Sequence, residues 1–477
     1  MTVAPIEPPA GLAWLRPAFA IVAAITLLRW VLLAFDQTDL YVDEAQYWLW
    51  GQEFAFGYYS KPPLIGWLIG AVTTLAGSDS IFWVRMPGAF LHAATALILA
   101  AWAARLHSPH VAILTAAAYV TLPFAALGSL LISTDTVMAP FFAAALLFHH
   151  RLTETRAPRF ALLAGAAIGV AFLAKYAAIY FLIGVALAAL RRAGRIGWAN
   201  AALLLGAFAV VISPNILWNL SHQFTTLSHT VDNVGWVRSD SPLSALHPWG
   251  ALEFFASQFA VAGPVIFAAL LLALRRLPMQ AAFILPALLV VTVQAALGTA
   301  QANWAVSAYF AGSVLAVIWL SPYPRALWAS FLLNAVFCIG LPLLVIFPAA
   351  FSLNGTDPVL ARQLGRADMS RQIIALAHQS GDVPVLADSR DILADLFYTG
   401  ATEGLAYYAP RPLGRAANHY QQRYPLPEAL TGQILLVSAL PPPCAAQPLP
   451  LNAEGGAYRG RGLAAYLVPV ECVYAKP

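Results

Sequence analysis

The chain has 477 residues, of which 60% are hydrophobic and 10% charged, and its mean hydropathy is +0.71. That balance, carried with 14 Trp, 17 Tyr and 26 Phe, excludes a water-soluble globular protein and defines a polytopic α-helical membrane protein. The net charge of +4 comes from short Arg-rich loops with no basic tract, which argues against nucleic acid as a partner, and the three Cys lack metal-site spacing.

A crossing needs roughly 20 apolar residues, and about 15 suffice where the bilayer is locally thin. On that ruler spans are predicted near 12–35, 82–104, 110–131, 136–150, 160–174, 176–190, 198–219, 251–274, 280–298, 304–320 and 326–350, about eleven in all. The first run has no early positive region and no small-residue cleavage site, so it is expected to stay as a signal anchor. Lys175 divides the apolar stretch 160–190 into two spans. With Met1 in the cytoplasm, the loops bearing Arg105, then Arg151, Arg156 and Arg159, then Arg191, Arg192 and Arg195, then Arg275 and Arg276, then Arg325, all fall on the cytoplasmic side. The segment 64–77, "LIGWLIGAVTTLAG", is short for a crossing, and counting it as one would put every Arg cluster outside. It reads as a helix lying on the membrane, with Trp67 as anchor.

From about Asn354 the pattern changes to an amphipathic stretch, "ARQLGRADMSRQIIALAHQ", then the strand-like runs "VPVLAD" and "GQILLVSAL" and the Pro-rich "LPPPC". The expected organisation is a membrane domain over 1–353, with an outer first loop at 36–81, and a small α/β domain over 354–477 on the same outer face. Cys444 and Cys472 would then share an oxidising compartment, and whether they pair stays open on sequence.

The stretch "DLYVDEAQYWLWGQEFAFGYYSKPPLIGW" sets Asp39, Asp43, Glu44 and Glu53 just after the first apolar run. Carboxylates near lipid must be paired, solvated or working. Adjacent Asp43 and Glu44 point in different directions, so one can face a cavity while the other caps or anchors the loop. Asp135, in "LISTDTVMAP", shares their face, although a Ser-Thr-Asp-Thr run also reads as a helix cap. Lys61 could neutralise a phosphate at headgroup depth or simply snorkel. Lys175 must face a polar cavity or end a helix. His222 and His229 read as interface residues unless an acidic ligand joins them. "NWAVSAY", Asn303 to Tyr309, can line a sugar pocket or belong to an aromatic belt.

The ordered series "DLYVDEAQYW", "YYSKPPLIGWLI", "LISTDTVMAPFF", "AFLAKYAAIYFL", "SPNILWNLSHQFTTL" and "QANWAVSAYFAG" resembles the family 39 glycosyltransferases of the GT-C superfamily. These are bacterial relatives of protein O-mannosyltransferases and of the aminoarabinose transferases that modify lipid A. "ADSRDILADLFYTG" and "LAYYAP" extend the resemblance towards the C-terminus. It implies a GT-C fold and a polyprenyl-phosphate-sugar donor, with undecaprenyl phosphate as carrier. The acceptor would be a cell-envelope lipid or glycan such as lipid A, and transfer would occur at the periplasmic face of the bacterial inner membrane.

By the same resemblance Asp43 corresponds to the catalytic carboxylate, Asp135 to a second acidic residue of the cavity, and Lys61 to the lysine that meets the carrier phosphate. Glu44, Tyr47, Tyr59, Lys175, His229, Asn303 and Trp304 complete the expected substrate-binding set. His229 corresponds to a histidine that shares zinc with a glutamate in the aminoarabinose transferases. Ser60 occupies that glutamate position here, so no metal ligand is assigned and a divalent ion stays open as a cofactor. A single displacement would invert the anomeric centre. The other class of function to weigh is a lipid-linked sugar flippase or secondary transporter. The sequence has no clear internal repeat, and its carboxylates gather at one face, which favours the enzyme.

Overall fold

A computed structural model describes residues 12–234, 247–276, 278–352, 357–453 and 455–474. In chain order its principal helices begin with α1 (Leu15–Leu33), α2 (Val42–Gln52), α3 (Leu64–Ala76), α4 (Pro87–Leu106), α5 (Pro109–Val120), α6 (Thr134–Thr155), α7 (Pro158–Ala174) and α8 (Ile179–Ala188). There follow α9 (Trp198–Ser221), α10 (Thr225–Val234), α11 (Pro248–Ala262), α12 (Pro264–Ala273), α13 (Leu285–Leu297), α14 (Ser307–Leu320), α15 (Pro324–Ile346), α16 (Arg366–Gln379) and α17 (Arg390–Thr399). The chain forms two compact units. The first takes the described residues of Met1–Ala34, Lys61–Ile65 and Arg85–Pro342, and the second takes those of Phe35–Ser60, Gly66–Val84 and Leu343–Pro477.

The first unit is helical. Proline opens α4, α5, α7, α11 and α12, where its fixed φ suits a helix start and its missing N–H is not needed. Ser108 caps α5 and Ser133 caps α6, each hydroxyl accepting a hydrogen bond from the backbone N–H three residues on. Large apolar side chains stay exposed along α1 (Phe19, Leu27, Leu28, Val31), α9 (Val210, Leu217) and α15 (Leu332, Val336, Ile339). Such faces suit hydrocarbon and not water. Alanines 143, 145, 161, 164 and 171 are wholly buried, as expected where helices associate through small residues within a membrane. The chain is a multi-pass membrane protein.

Each predicted run holds a helix. Among the described residues, α1, the continuous stretch Ile81–Leu106, α9 and α15 are long and apolar enough to cross a bilayer by themselves. The others are shorter or broken. The run expected as one span at 251–274 bends by 111° between α11 and α12. Gly263 adopts φ +84 there, a left-handed conformation that glycine takes without steric penalty, and Pro264 cannot continue the hydrogen-bond ladder. The run 110–131 likewise breaks after Val120, where Pro123 opens a short helix, Pro123–Leu127. Arg29, buried in α1, is satisfied at this break: it donates to Val120 O at 2.5 Å and to Ser129 Oγ at 3.0 Å. The carboxyl end of α5 carries partial negative charge, which suits a cation.

In the second unit α2 and α3 cross where Gly51 meets Gly66 and Gly70. A methyl on Gly51 would lie 2.8 Å from Gly70 N and 2.9 Å from Gly66 O. The mixed sheet is built from β1 (Val385–Ala387), β2 (Tyr407–Tyr408), β3 (Gln433–Ser438), β4 (Pro448–Pro450) and β5 (Ala464–Pro469), in the order β2-β1-β3-β5-β4. β1 runs parallel to β2 and β3, while β5 is antiparallel to β3 and β4. The strand-like runs "VPVLAD" and "GQILLVSAL" supply β1 and β3. The amphipathic run opens with a 3-10 turn at Ala361–Gln363 and becomes α-helical only at Arg366, after Gly365 turns the backbone left-handed with φ +73. Ile434, Val468, Val470 and Leu386 form a core beside Cys472, which is disulfide-bonded to Cys444 across a separation of 28 residues.

Two stability measurements test these features. Gly51→Ala is expected to lose about 1–3 kcal/mol through overpacking. Gly206→Ala in α9, where nothing lies within 4 Å of an added methyl, should be neutral or slightly stabilising. Thermal unfolding in detergent separates the two. The double variant Cys444→Ser/Cys472→Ser should lose about 2–4 kcal/mol. Thiol labelling of the wild type should modify both cysteines only after reduction.

Candidate active site

Two polar clusters carry most of the residues singled out in the sequence, one in each unit. In the second unit α2 begins after extended Tyr41. Glu44 is buried and its Oε2 accepts from Tyr41 N at 3.0 Å, so Glu44 caps the helix and fulfils the anchoring half of the division expected for the Asp43–Glu44 pair. Asp39 anchors the approach to α2, its Oδ2 accepting from Arg366 N at 2.7 Å.

Asp43 projects from the first turn, and its side chain is 46% exposed. Its Oδ1 accepts from Arg390 Nη2 at 2.5 Å, and Arg390 Nε donates to Gln46 Oε1 at 3.0 Å. Asp43 and Gln46 lie three residues apart, on one face of α2, and so meet the same guanidinium. Burial works against the Arg390 charge, but Asp43 outweighs it and holds the guanidinium above its ordinary pKa.

Aromatic contacts brace this cluster. Tyr47 is buried with its ring 5.3 Å from Trp50, and Trp50 stacks on Tyr58 at 4.8 Å. Trp48 Nε1 donates to Asp79 Oδ1 at 2.8 Å, and Tyr398 of α17 donates to Asp79 O at 2.6 Å while its ring packs edge-on against Trp48. Tyr59 Oη donates to Ala416 O at 3.0 Å, which ties the hydroxyl to the backbone. Glu53 accepts from Tyr424 Oη at 2.7 Å and from Arg423 Nη2 at 2.9 Å. Burial pushes the Glu53 pKa up, yet those two donors prevail and leave it below its usual value. His419, edge-on to Trp50, is pushed down to about 3 chiefly by burial, so its ring is neutral at physiological pH.

In the first unit Asp135 stands at the start of α6. The cap of that helix is Ser133, which leaves the Asp135 carboxylate for other partners. Lys175 Nζ bonds both of its oxygens, at 2.7 and 2.8 Å, and Asn303 Nδ2 donates to Oδ2 at 2.8 Å. The Asp135 and Lys175 side chains are only 11% and 18% exposed. Lys175 both ends α7, its N–H capping onto Ala171 O, and supplies this ion pair. Nearby on the same chain segment, Tyr176 Oη donates to Asn215 Oδ1 at 3.1 Å and accepts from Asn219 Nδ2 at 3.3 Å.

Lys61 is half-buried on the turn before α3, His229 half-buried on α10, and Trp304 half-buried in the 3-10 turn Ala302–Ala305. His222 is exposed and stacks on Trp218 at 4.0 Å. Among the described residues no three His, Cys, Asp or Glu side chains are grouped to hold a metal ion. Gln46 and Arg390 escaped the sequence reading. The three-residue spacing from Asp43 was a signal for Gln46; Arg390 sits in "ADSRDILADLFYTG", where nothing in the local sequence ties it to Asp43.

Comparison with known proteins places the chain in a class. Residues 60–218 match the family described as dolichyl-phosphate-mannose-protein mannosyltransferase. The chain belongs to the GT-C superfamily, among the family 39 glycosyltransferases, and is itself a glycosyltransferase, which decides between the enzyme and transport readings. It is 40% identical over 474 residues to the lipid A galacturonosyltransferase RgtD of Rhizobium johnstonii, covering 96% of this chain and 99% of that relative. The fold is that of ArnT from Cupriavidus metallidurans. The apo structure superposes with a TM-score of 0.64 at 13% identity, covering 96% of this chain and 98% of ArnT. The undecaprenyl-phosphate complex gives 0.63 at 14% identity, covering 98% and 100%.

The buried Asp135–Lys175 pair generates a prediction. Lys175→Met leaves a carboxylate buried without its cation and should destabilise the protein by about 3–5 kcal/mol. Adding Asp135→Asn should recover much of that loss in thermal unfolding, because the unpaired charge is then gone.

Proposed function

We propose that the protein transfers galacturonic acid from a polyprenyl phosphate, undecaprenyl phosphate in a bacterial inner membrane, to lipid A at the periplasmic face. The observation that carries the substrate assignment is the 40% identity to a lipid A galacturonosyltransferase over nearly the full length of both chains. The ArnT structure with bound undecaprenyl phosphate, at similar fold, supports the choice of carrier. On this reading about eleven helices cross the bilayer within residues 1–353, and residues 36–81 and 354–477 lie on the periplasmic side.

Asp43 is the general base. Its half-exposed carboxylate accepts the proton of an acceptor hydroxyl as that oxygen forms a bond to the anomeric carbon. The bond from the anomeric carbon to the carrier phosphate oxygen breaks, and its electron pair leaves with the phosphate. One displacement inverts the centre. Lys61 meets the negative charge that grows on the leaving phosphate. Asp135 has another part to play: with Lys175 on both of its oxygens and Asn303 on one of them its carboxylate is held in a fixed orientation, and the third N–H of Lys175 remains for substrate. Tyr47, Tyr59, His229, Asn303 and Trp304 contribute to the walls of the sugar and lipid sites.

The test uses purified protein in lipid nanodiscs with undecaprenyl-phosphate-galacturonic acid and lipid A, the product being read by mass spectrometry. Wild type should add one uronic acid per turnover, and Asp43→Asn should lower kcat by about 10²–10⁴-fold with folding intact. Wild-type transfer of a different sugar, with none from the galacturonic acid donor, would overturn the substrate assignment. Full activity in Asp43→Asn would remove Asp43 from the mechanism.

A further inference from the structure

We infer that Arg390 is a positioning residue for Asp43: the C-terminal segment of the chain supplies a guanidinium that sets the orientation of the carboxylate used in transfer. The inference rests on the assignment of Asp43 as base and adds a residue outside the catalytic and substrate-binding set read from the sequence.

The geometry is that of a clamp. Arg390 grips α2 at two points one helical turn apart, Asp43 Oδ1 at 2.5 Å and Gln46 Oε1 at 3.0 Å. Gln46 is itself buried, so it fixes the rotation of the guanidinium plane about the Nε bond. The clamp takes only one carboxylate oxygen. Among the described residues Asp43 has no hydrogen-bond partner besides Arg390, which leaves Oδ2 to receive a proton from substrate. A base that must lie within hydrogen-bond reach of an acceptor hydroxyl gains from losing its rotamer freedom beforehand, and a rigid fork suits that task better than a flexible ammonium.

Arg390 is also held independently. It occupies the first turn of α17 behind its cap Ser389, whose Oγ accepts from Asp391 N at 3.2 Å. The attachment of α17 to α2 does not depend on the ion pair. Trp48, Asp79 and Tyr398 join the two helices through separate hydrogen bonds and a ring contact. Removal of the guanidinium is therefore expected to free the carboxylate without releasing the helix.

The experiment compares steady-state transfer by wild type, Arg390→Gln, Arg390→Lys, Asp43→Asn, Asp43→Asn/Arg390→Gln and Tyr398→Phe in nanodiscs. Undecaprenyl-phosphate-galacturonic acid is the donor and lipid A the acceptor, and thermal unfolding is recorded for each. A lost charge-assisted hydrogen bond predicts that Arg390→Gln lowers kcat by about 10- to 100-fold with both KM values little changed. Arg390→Lys should recover part of the rate. The double variant should be no slower than Asp43→Asn alone, since the arginine acts through the carboxylate. Tyr398→Phe, which removes one hydrogen bond of the other tie between α2 and α17, should lower stability and leave kcat unchanged.

A wild-type kcat in Arg390→Gln, beside an inactive Asp43→Asn, would overturn the positioning role and spare the assignment of the base. Multiplicative losses in the double variant, or a kcat loss in Tyr398→Phe equal to that of Arg390→Gln, would make the ion pair a structural tie and overturn the inference. Full activity in Asp43→Asn would overturn both readings together.

Discussion

A carboxylate among apolar helices can persist only when another group meets its charge, and Asp135 shows how this protein satisfies that demand. Lys175 takes both of its oxygens and Asn303 takes one of them again. The same requirement shapes the helices around it. α7 ends where it delivers Lys175, α6 begins with a serine cap so that Asp135 is left for the lysine, and a 3-10 turn presents Asn303. Arg29 obeys the rule by another route, using the carboxyl end of α5 and a serine hydroxyl where Asp135 uses a lysine. In each case a break in a helix and a buried charge occur together, because the break exposes the backbone or side-chain groups that the charge needs.

Two aspartates were expected to share the chemistry, and their surroundings give them different capacities. Asp135 is nearly buried and has both oxygens occupied, whereas Asp43 is close to half exposed and has one oxygen occupied. An acceptor-only group with a free oxygen at an exposed edge can take a proton; one with both oxygens engaged serves better to orient its partners. The difference lies in hydrogen bonding and exposure, since the two side chains are chemically identical.

The sequence reading reached the helices because apolar run length is a local property, and each expected run holds one. It reached β1 and β3 by the same route and missed β2, β4 and β5. It missed the 111° turn at Gly263, since a single glycine before a proline in an apolar run is compatible with a kink, a loop or a tight packing contact. It noticed Asp43, Glu44, Asp135, Lys175 and Asn303 because charged and amide groups stand out against apolar neighbours. Which of Asp43 and Glu44 would cap the helix was not legible, because adjacent residues differ only in the direction they face once the helix has its surroundings. Gln46 looked like an ordinary polar residue, and Arg390 like one more surface arginine.

Composition by itself determined that the chain lives in a membrane, and the ordered motifs determined its glycosyltransferase family. Hydropathy and local residue order are enough for both, because they depend on contiguous residues. Partner choice was settled only by tertiary structure. Asp43 meets an arginine 347 residues away, and Asp135 meets a lysine 40 and an asparagine 168 residues away. Nothing in the local chain fixes such pairs. They form because packing brings particular helix ends together, and in a medium of low dielectric constant the charges brought together must then satisfy one another.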